Sequence, residues 1–197
     1  MKTQLIDQLL RENNGYIKTS EVIRNDISKP TFLKYVKDNG LAKVAHGLYK
    51  TEDSWLDDFY VFQYRYPKIV FSHETAAYLF RMSSREPFEL SVTLETGKSS
   101  SRLNKSGLKV YKIKGELFEL GLTEVLTPYG NTVRSYNLER TFCDLVRSRN
   151  NVEIQEVQTF IQAYFKNKDK NIPQLMKYAK LFSIEKTIRQ YTEVLLT

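Results

Sequence analysis

The sequence predicts an α+β protein, and three observations carry that expectation. Apolar residues recur at helical spacing at both ends of the chain, in Lys2–Glu12 and again from Leu138 onward. Between them Phe88–Glu95 alternates apolar and polar residues as a half-buried strand does, and Leu108–Lys114 alternates less regularly. Turn formers punctuate the segments, at Asn13-Asn14-Gly15, Gly40, Pro67 and Pro128-Tyr129-Gly130-Asn131.

Length and composition set the bounds. A chain of 197 residues holds one large or two small domains. Its 41% apolar content supports a core. A net charge of +7 and a pI near 9.3 favour polyanionic partners. The single cysteine, Cys143, excludes an internal disulfide and fits a reducing cytoplasm. No apolar run approaches the roughly 20 residues of a membrane span. The N-terminus lacks the apolar core of a signal peptide, so a cytoplasmic protein is expected.

In chain order, Leu5, Ile6, Leu9 and Leu10 lie on one side of a helix over Lys2–Glu12, which Asn13-Asn14-Gly15 ends. Tyr16-Ile17 forms a short strand suited to pairing with a later hairpin. A second helix covers Glu21–Arg24. Ser28 then N-caps a third, with Pro30 in its first turn and Gly40 past its end. Phe32, Leu33 and Val36 fall on one side of that helix. Thr31, Lys34 and Asp38 fall opposite, with Lys37 at the edge. Leu41, Val44 and Leu48-Tyr49 bracket Ala45-His46-Gly47, a tight hairpin. Ser28–Lys50 carries five lysines and one aspartate. Helix, short helix, turn, helix and hairpin within 50 residues is the order of a winged helix-turn-helix, which presents such a basic helix and wing to DNA. A small helical domain with a merely solvated lysine face fits the same pattern.

Trp55–Tyr66 reads as a connector helix on Trp55, Phe59, Phe62 and Tyr66, with Asp57 and Asp58 as helix-start acids. Ile69-Val70-Phe71 is a strand, and Ser72 caps a helix over His73–Arg81. Ser84–Pro87 is a loop. Phe88, Leu90, Val92 and Leu94 face one way in the next strand, and Gly97–Gly107 is a polar loop. Lys98, Arg102, Lys105, Lys109, Lys112 and Lys114 follow one another between Gly97 and Gly115 without an acid. That run fits a solvated loop and strand face, or a second surface facing phosphates or a partner. Leu122–Thr127 and Thr132–Tyr136 form a hairpin. Asn137 caps a helix over Leu138–Arg147. Helices then follow over Val152–Phe165 and Pro173–Phe182, and after Ser183, with Ile184, Ile188, Tyr191 and Leu195 inside the last. The expected architecture is an N-terminal winged helix-turn-helix over 1–53. Residues 54–197 form a mixed domain, a small sheet with a C-terminal helical bundle, within which 54–84 is a helical connector whose membership the sequence leaves open.

Signatures of catalysis are scarce. There is no phosphate-binding glycine loop, HExxH or nucleophile elbow, and no metal site or cofactor is expected. His46 in the hairpin fits a DNA contact or a plain turn residue. His73 beside Glu74 reads as packing or capping, and Cys143 as a buried, inert thiol. Arg140 and Asp144 stand at the spacing of a helix ion pair, and Glu139 sits in the first turn of the same helix.

Three blocks then resemble one family together. Gly40-Leu41-Ala42-Lys43-Val44-Ala45-His46-Gly47-Leu48-Tyr49 resembles the G-L-x-x-V-x-x-G-x-Y end of an N-terminal winged helix. Ser72-His73-Glu74-Thr75-Ala76-Ala77-Tyr78-Leu79 resembles S-H-x-T-A-A-x-L, and Tyr136 to Leu145 resembles a helix start with E-R-T-x-x-D-L. In this order they resemble the AbiEi abortive-infection family, the antitoxins of type IV toxin–antitoxin systems. The resemblance implies a winged helix that binds inverted repeats upstream of its own operon and represses it. It also implies a C-terminal domain that neutralises a nucleotidyltransferase toxin without a stable complex. By position it implies DNA-facing Thr31, Lys34, Tyr35 and Lys37 on the helix, and Lys43 and His46 in the wing. The chain lacks the PD-(D/E)xK-like nuclease residues of some longer proteins with a similar N-terminus, so no enzymatic role is expected. The rival expectation is a plain winged-helix regulator whose C-terminal domain binds a ligand or dimerises.

Overall fold

Eleven helices and two small sheets make up the described residues of the computed structural model, an α+β arrangement. The structure describes residues 2–83 and 85–195. Ser84, the first residue of the expected 84–87 loop, lies outside them, as does the side chain of Leu195. Two compact units are formed, Met1–Pro67 with Leu126–Thr132, and Lys68–Val125 with Val133–Thr197.

The first unit runs α1 (Lys2–Glu12), β1 (Tyr16–Lys18), α2 (Thr19–Arg24), α3 (Lys29–Asp38), β2 (Ala42–Ala45), β3 (Leu48–Lys50) and α4 (Asp58–Arg65). Ile6, Leu9 and Leu10 of α1 pack with Val22, Ile27, Phe32, Leu41 and Tyr49. Gly15 releases the chain from α1 at φ +81, and a Cβ there would fall 1.7 Å from Ser54 Oγ, so only glycine fits. The strand over Tyr16-Ile17 does pair with the hairpin: β1 and β2 flank β3, both antiparallel to it.

The Trp55–Tyr66 helix is shorter than expected. Asp57 is its N-cap, accepting from Tyr60 N at 3.1 Å, so α4 starts at Asp58 and Trp55 stays outside, 78% exposed. Asp57 is fully buried. Its Oδ2 also accepts from Thr127 Oγ1 at 2.6 Å and from Asn131 Nδ2 at 2.7 Å.

The second unit begins with β4 (Val70–Phe71), α5 (His73–Leu79), β5 (Ser91–Glu95), α6 (Ser101–Lys105), β6 (Lys109–Ile113) and α7 (Gly115–Phe118). It continues with β7 (Leu122–Leu126), β8 (Thr132–Tyr136), α8 (Leu138–Arg147), α9 (Ile154–Lys166), α10 (Ile172–Leu181) and α11 (Glu185–Leu195). Its sheet has the order β6-β5-β4-β8-β7. β4 runs antiparallel to β5 and parallel to β8, and β5 runs parallel to β6.

Two expectations change here. β5 is not half-buried: Ser91, Val92, Thr93 and Leu94 are all buried, because the strand is internal to the sheet. Phe88 lies before it and is 99% exposed. The polar loop over 97–107 contains α6, held down by buried Leu103. The helical part packs on Phe142 of α8, which meets Phe160, Tyr164 and Phe165 of α9 edge to face. No described helix is long and apolar enough to cross a membrane.

Candidate functional site

α3 is a helix with two unlike faces, and its cap sets which residues lie on each. Ser28 Oγ accepts from Thr31 N at 3.4 Å and lies 2.8 Å from Thr31 Oγ1. Phe32 is fully buried, and Tyr35, one turn on, shares its face. Thr31, Lys34, Lys37 and Asp38 are exposed. Two assignments are corrected. Tyr35 does not face outward, because its hydroxyl donates to the Asp7 carboxylate of α1. Burial and Asp7 together push that phenol up to about 12. Leu33, expected inside, is 42% exposed, since i+1 from Phe32 turns it away from the core.

The β2–β3 hairpin adds exposed Lys43 and His46. His46-Gly47 forms a two-residue turn, with Gly47 at φ +74. Two bonds anchor it: Tyr64 Oη donates to His46 O at 3.1 Å, and Thr19 N to Gly47 O at 2.8 Å. The polar side chains at the tip are therefore presented by a tethered backbone.

The basic run of the second unit divides. Lys98, Arg102, Lys105, Lys112 and Lys114 are exposed. Lys109 is not free for a partner, because its Nζ donates to Glu74 Oε1 at 2.9 Å and to Asn151 O at 2.6 Å. β6 is an edge strand of its sheet, where exposed lysine also discourages edge-to-edge pairing.

What the residue pattern did not disclose is a buried polar cluster in the second unit. Arg140 and Asp144 pair as their spacing predicts, Nε to Oδ2 at 2.9 Å, but both are buried rather than at the surface. Arg140 Nη1 donates to the carbonyls of Leu117 and Leu120, each at 2.7 Å. Its Cζ lies over the rings of Tyr136 and Phe182, 4.0 and 4.6 Å from their centres. Gly121, at φ +76, permits this approach, since a Cβ there would lie 2.7 Å from Arg140 Cβ. Glu139 is buried too, accepting from Tyr164 Oη at 3.1 Å and Asn171 N at 3.0 Å. Burial pushes the Asp144 carboxyl above the usual range against the pull of Arg140 and Arg147.

His73 belongs to the same cluster. Its ring stacks on Tyr111 at 3.5 Å, with Nδ1 2.9 Å from Ser72 Oγ and Nε2 3.0 Å from Ser148 Oγ. Ser72 thus holds the N-cap position without capping, and its hydroxyl instead accepts from Thr93 Oγ1 at 2.8 Å. Burial, then Arg140, Lys109 and Arg147, hold His73 well below the usual histidine value and therefore neutral. The unfolded chain binds that proton from about pH 6.5 downward, and the folded chain does not. Stability accordingly falls as pH drops below 6.5, by up to about 1.4 kcal/mol per pH unit from this group. Asp144, raised by burial, contributes a slope of opposite sign. The difference between wild type and His73→Gln in urea melts from pH 7 to 5 isolates the histidine. Parallel stability–pH curves for the two proteins would refute the assignment.

No family model and no curated protein matches the chain. A solved structure, described as the crystal structure of RV2827C protein from Mycobacterium tuberculosis, is similar to it at 11% identity and a TM-score of 0.47. The match covers 98% of this chain and 79% of that one.

Proposed function

We propose that this chain is an autorepressor and antitoxin of the AbiEi type. Its first unit is a winged helix-turn-helix that binds operator inverted repeats. Its second unit acts against a cognate nucleotidyltransferase toxin. The observation that carries the DNA reading is the division of α3. Phe32 and Tyr35 tie one face into the core, while Thr31, Lys34 and Lys37 stand exposed on the other, beside a hairpin with exposed Lys43 and His46. With Tyr35 inside, Thr31 is the base-edge candidate of the helix, and the lysines are phosphate contacts. Lysine offers a point charge without a fork, so DNA shape carries much of the discrimination. The antitoxin half rests on the three sequence blocks that resemble the family. Such a role places the protein in the cytoplasm.

Gel-shift titrations on the DNA upstream of its own gene, over a salt series, test the first half. Lys34→Ala lowers affinity and reduces the log–log salt slope by about one unit. Tyr35→Phe leaves that slope unchanged and acts on stability instead. Equal slopes and affinities for Lys34→Ala and wild type would overturn the interface. For the second half, full-length Lys34→Ala/Lys37→Ala/Lys43→Ala is co-expressed with the neighbouring toxin gene. Rescue of growth with repression lost is the expected result. Failure of the wild-type protein to rescue, with repression intact, would leave a plain regulator.

A further inference from the structure

Arg140 has one guanidinium nitrogen to spare. Nε is bound by Asp144 and Nη1 by two carbonyls, while Nη2 is buried with no hydrogen-bond partner among the described residues. A buried charged donor left unpartnered is costly, so something that accepts from it is called for. Arg140 forms part of the wall of a cavity of about 40 Å³ in the second unit, which Arg147, Lys112, Ser148, His73 and Asp144 also line.

The charge of that wall selects the class of ligand. Three cations face one carboxylate, and Asp144 already has Arg140 at 2.9 Å and Arg147 at 3.6 Å. Asp144 therefore has little left to offer a cation, and the uncommitted groups are donors. Arg147 and Lys112 are exposed at the rim, and Ser148 beside them is half-buried. His73, uncharged, holds Ser148 at 3.0 Å without adding charge of its own. Arginine, lysine and hydroxyl donors converging from α8 and β6 suit an acceptor with more than two oxygens. The volume holds a single oxyanion group and excludes a nucleotide base.

We propose that the second unit carries an oxyanion site of the phosphate class, with Arg140 Nη2 at its floor and Arg147, Ser148 and Lys112 at its mouth. The site is separate from the lysines of α3 and does not depend on the DNA reading. A phosphate group presented by a small metabolite or by a phosphorylated side chain shares this chemistry with free phosphate, which serves as the probe.

Isothermal titration of the full chain with inorganic phosphate, at ionic strength matched by chloride, tests it. The expected result is saturable binding at one site per chain, with a matching rise in unfolding midpoint that follows ln(1 + [phosphate]/Kd). Arg140 variants disturb the buried pair, so the rim is altered instead. Arg147→Gln or Ser148→Ala weakens phosphate by about tenfold, as loss of a donor to a charged group does, while Lys34→Ala/Lys37→Ala does not. Titrations with phosphoserine and with a small sugar phosphate then separate the possible carriers. No heat beyond the chloride control would overturn the site and leave a water-filled cavity. Equal phosphate binding by wild type and both rim variants would likewise overturn it.

Discussion

Arg140→Ala lowers the stability of the second unit by about 3–5 kcal/mol. The guanidinium is fully buried and has a partner on nearly every side: Asp144, two backbone carbonyls, and the faces of Tyr136 and Phe182. Truncation leaves the Asp144 carboxylate buried with Arg147 at 3.6 Å, and strips the Leu117 and Leu120 carbonyls of their side-chain donor. The cost lies in the groups left behind more than in the pair itself. Replacing both partners, Arg140→Met with Asp144→Leu, therefore loses less than Arg140→Ala alone. Guanidinium unfolding followed by far-UV circular dichroism measures both. A single variant within about 1 kcal/mol of wild type would contradict the buried pair.

Asp57→Ala costs the first unit about 2–4 kcal/mol. One carboxylate serves as cap for α4 and as acceptor for Thr127 and Asn131. Asp57→Asn separates the two roles. Its amide keeps one oxygen for Tyr60 N, but an NH2 in the other position cannot accept from the Asn131 amide. Asn thus restores the cap and not the bonds to 127 and 131, and its stability falls between wild type and Ala. If Asn matched wild type in the same unfolding measurement, the bonds to Thr127 and Asn131 would contribute nothing.

Arg140 and Asp57 both owe their burial to partners distant in sequence. Ser28, Asn137, Gly40 and the periodicity of α1 were legible because caps and turns act over a few residues. Ser28 does accept from Thr31 N, and Asn137 from Arg140 N. The exposed positions of Lys34 and Lys37 followed from the same local geometry, whereas Lys43 and His46 were implied by the resemblance. Tyr35, which the resemblance implies to be DNA-facing, turns inward because its hydroxyl finds Asp7, 28 residues away. Lys109 looked like one more charge in a basic run until β5–β6 pairing brought it to Glu74.

By itself, then, the sequence determined the α+β class, the order of its longer elements though not the short helices α6 and α7, and which residues cap α3 and α8. Each depends on period, cap and turn chemistry, all short in range. Only the tertiary structure decided which charges are buried. Arg140 and Asp144 stand four residues apart whether a helix faces water or a core. Their burial depends on a glycine at 121, rings at 136 and 182, and carbonyls at 117 and 120, none within one turn of both. The same holds for Asp57, whose partners lie 70 and 74 residues ahead. A charge leaves water only when groups distant in sequence converge to replace the solvent, and that convergence belongs to the packed chain rather than to any segment of it.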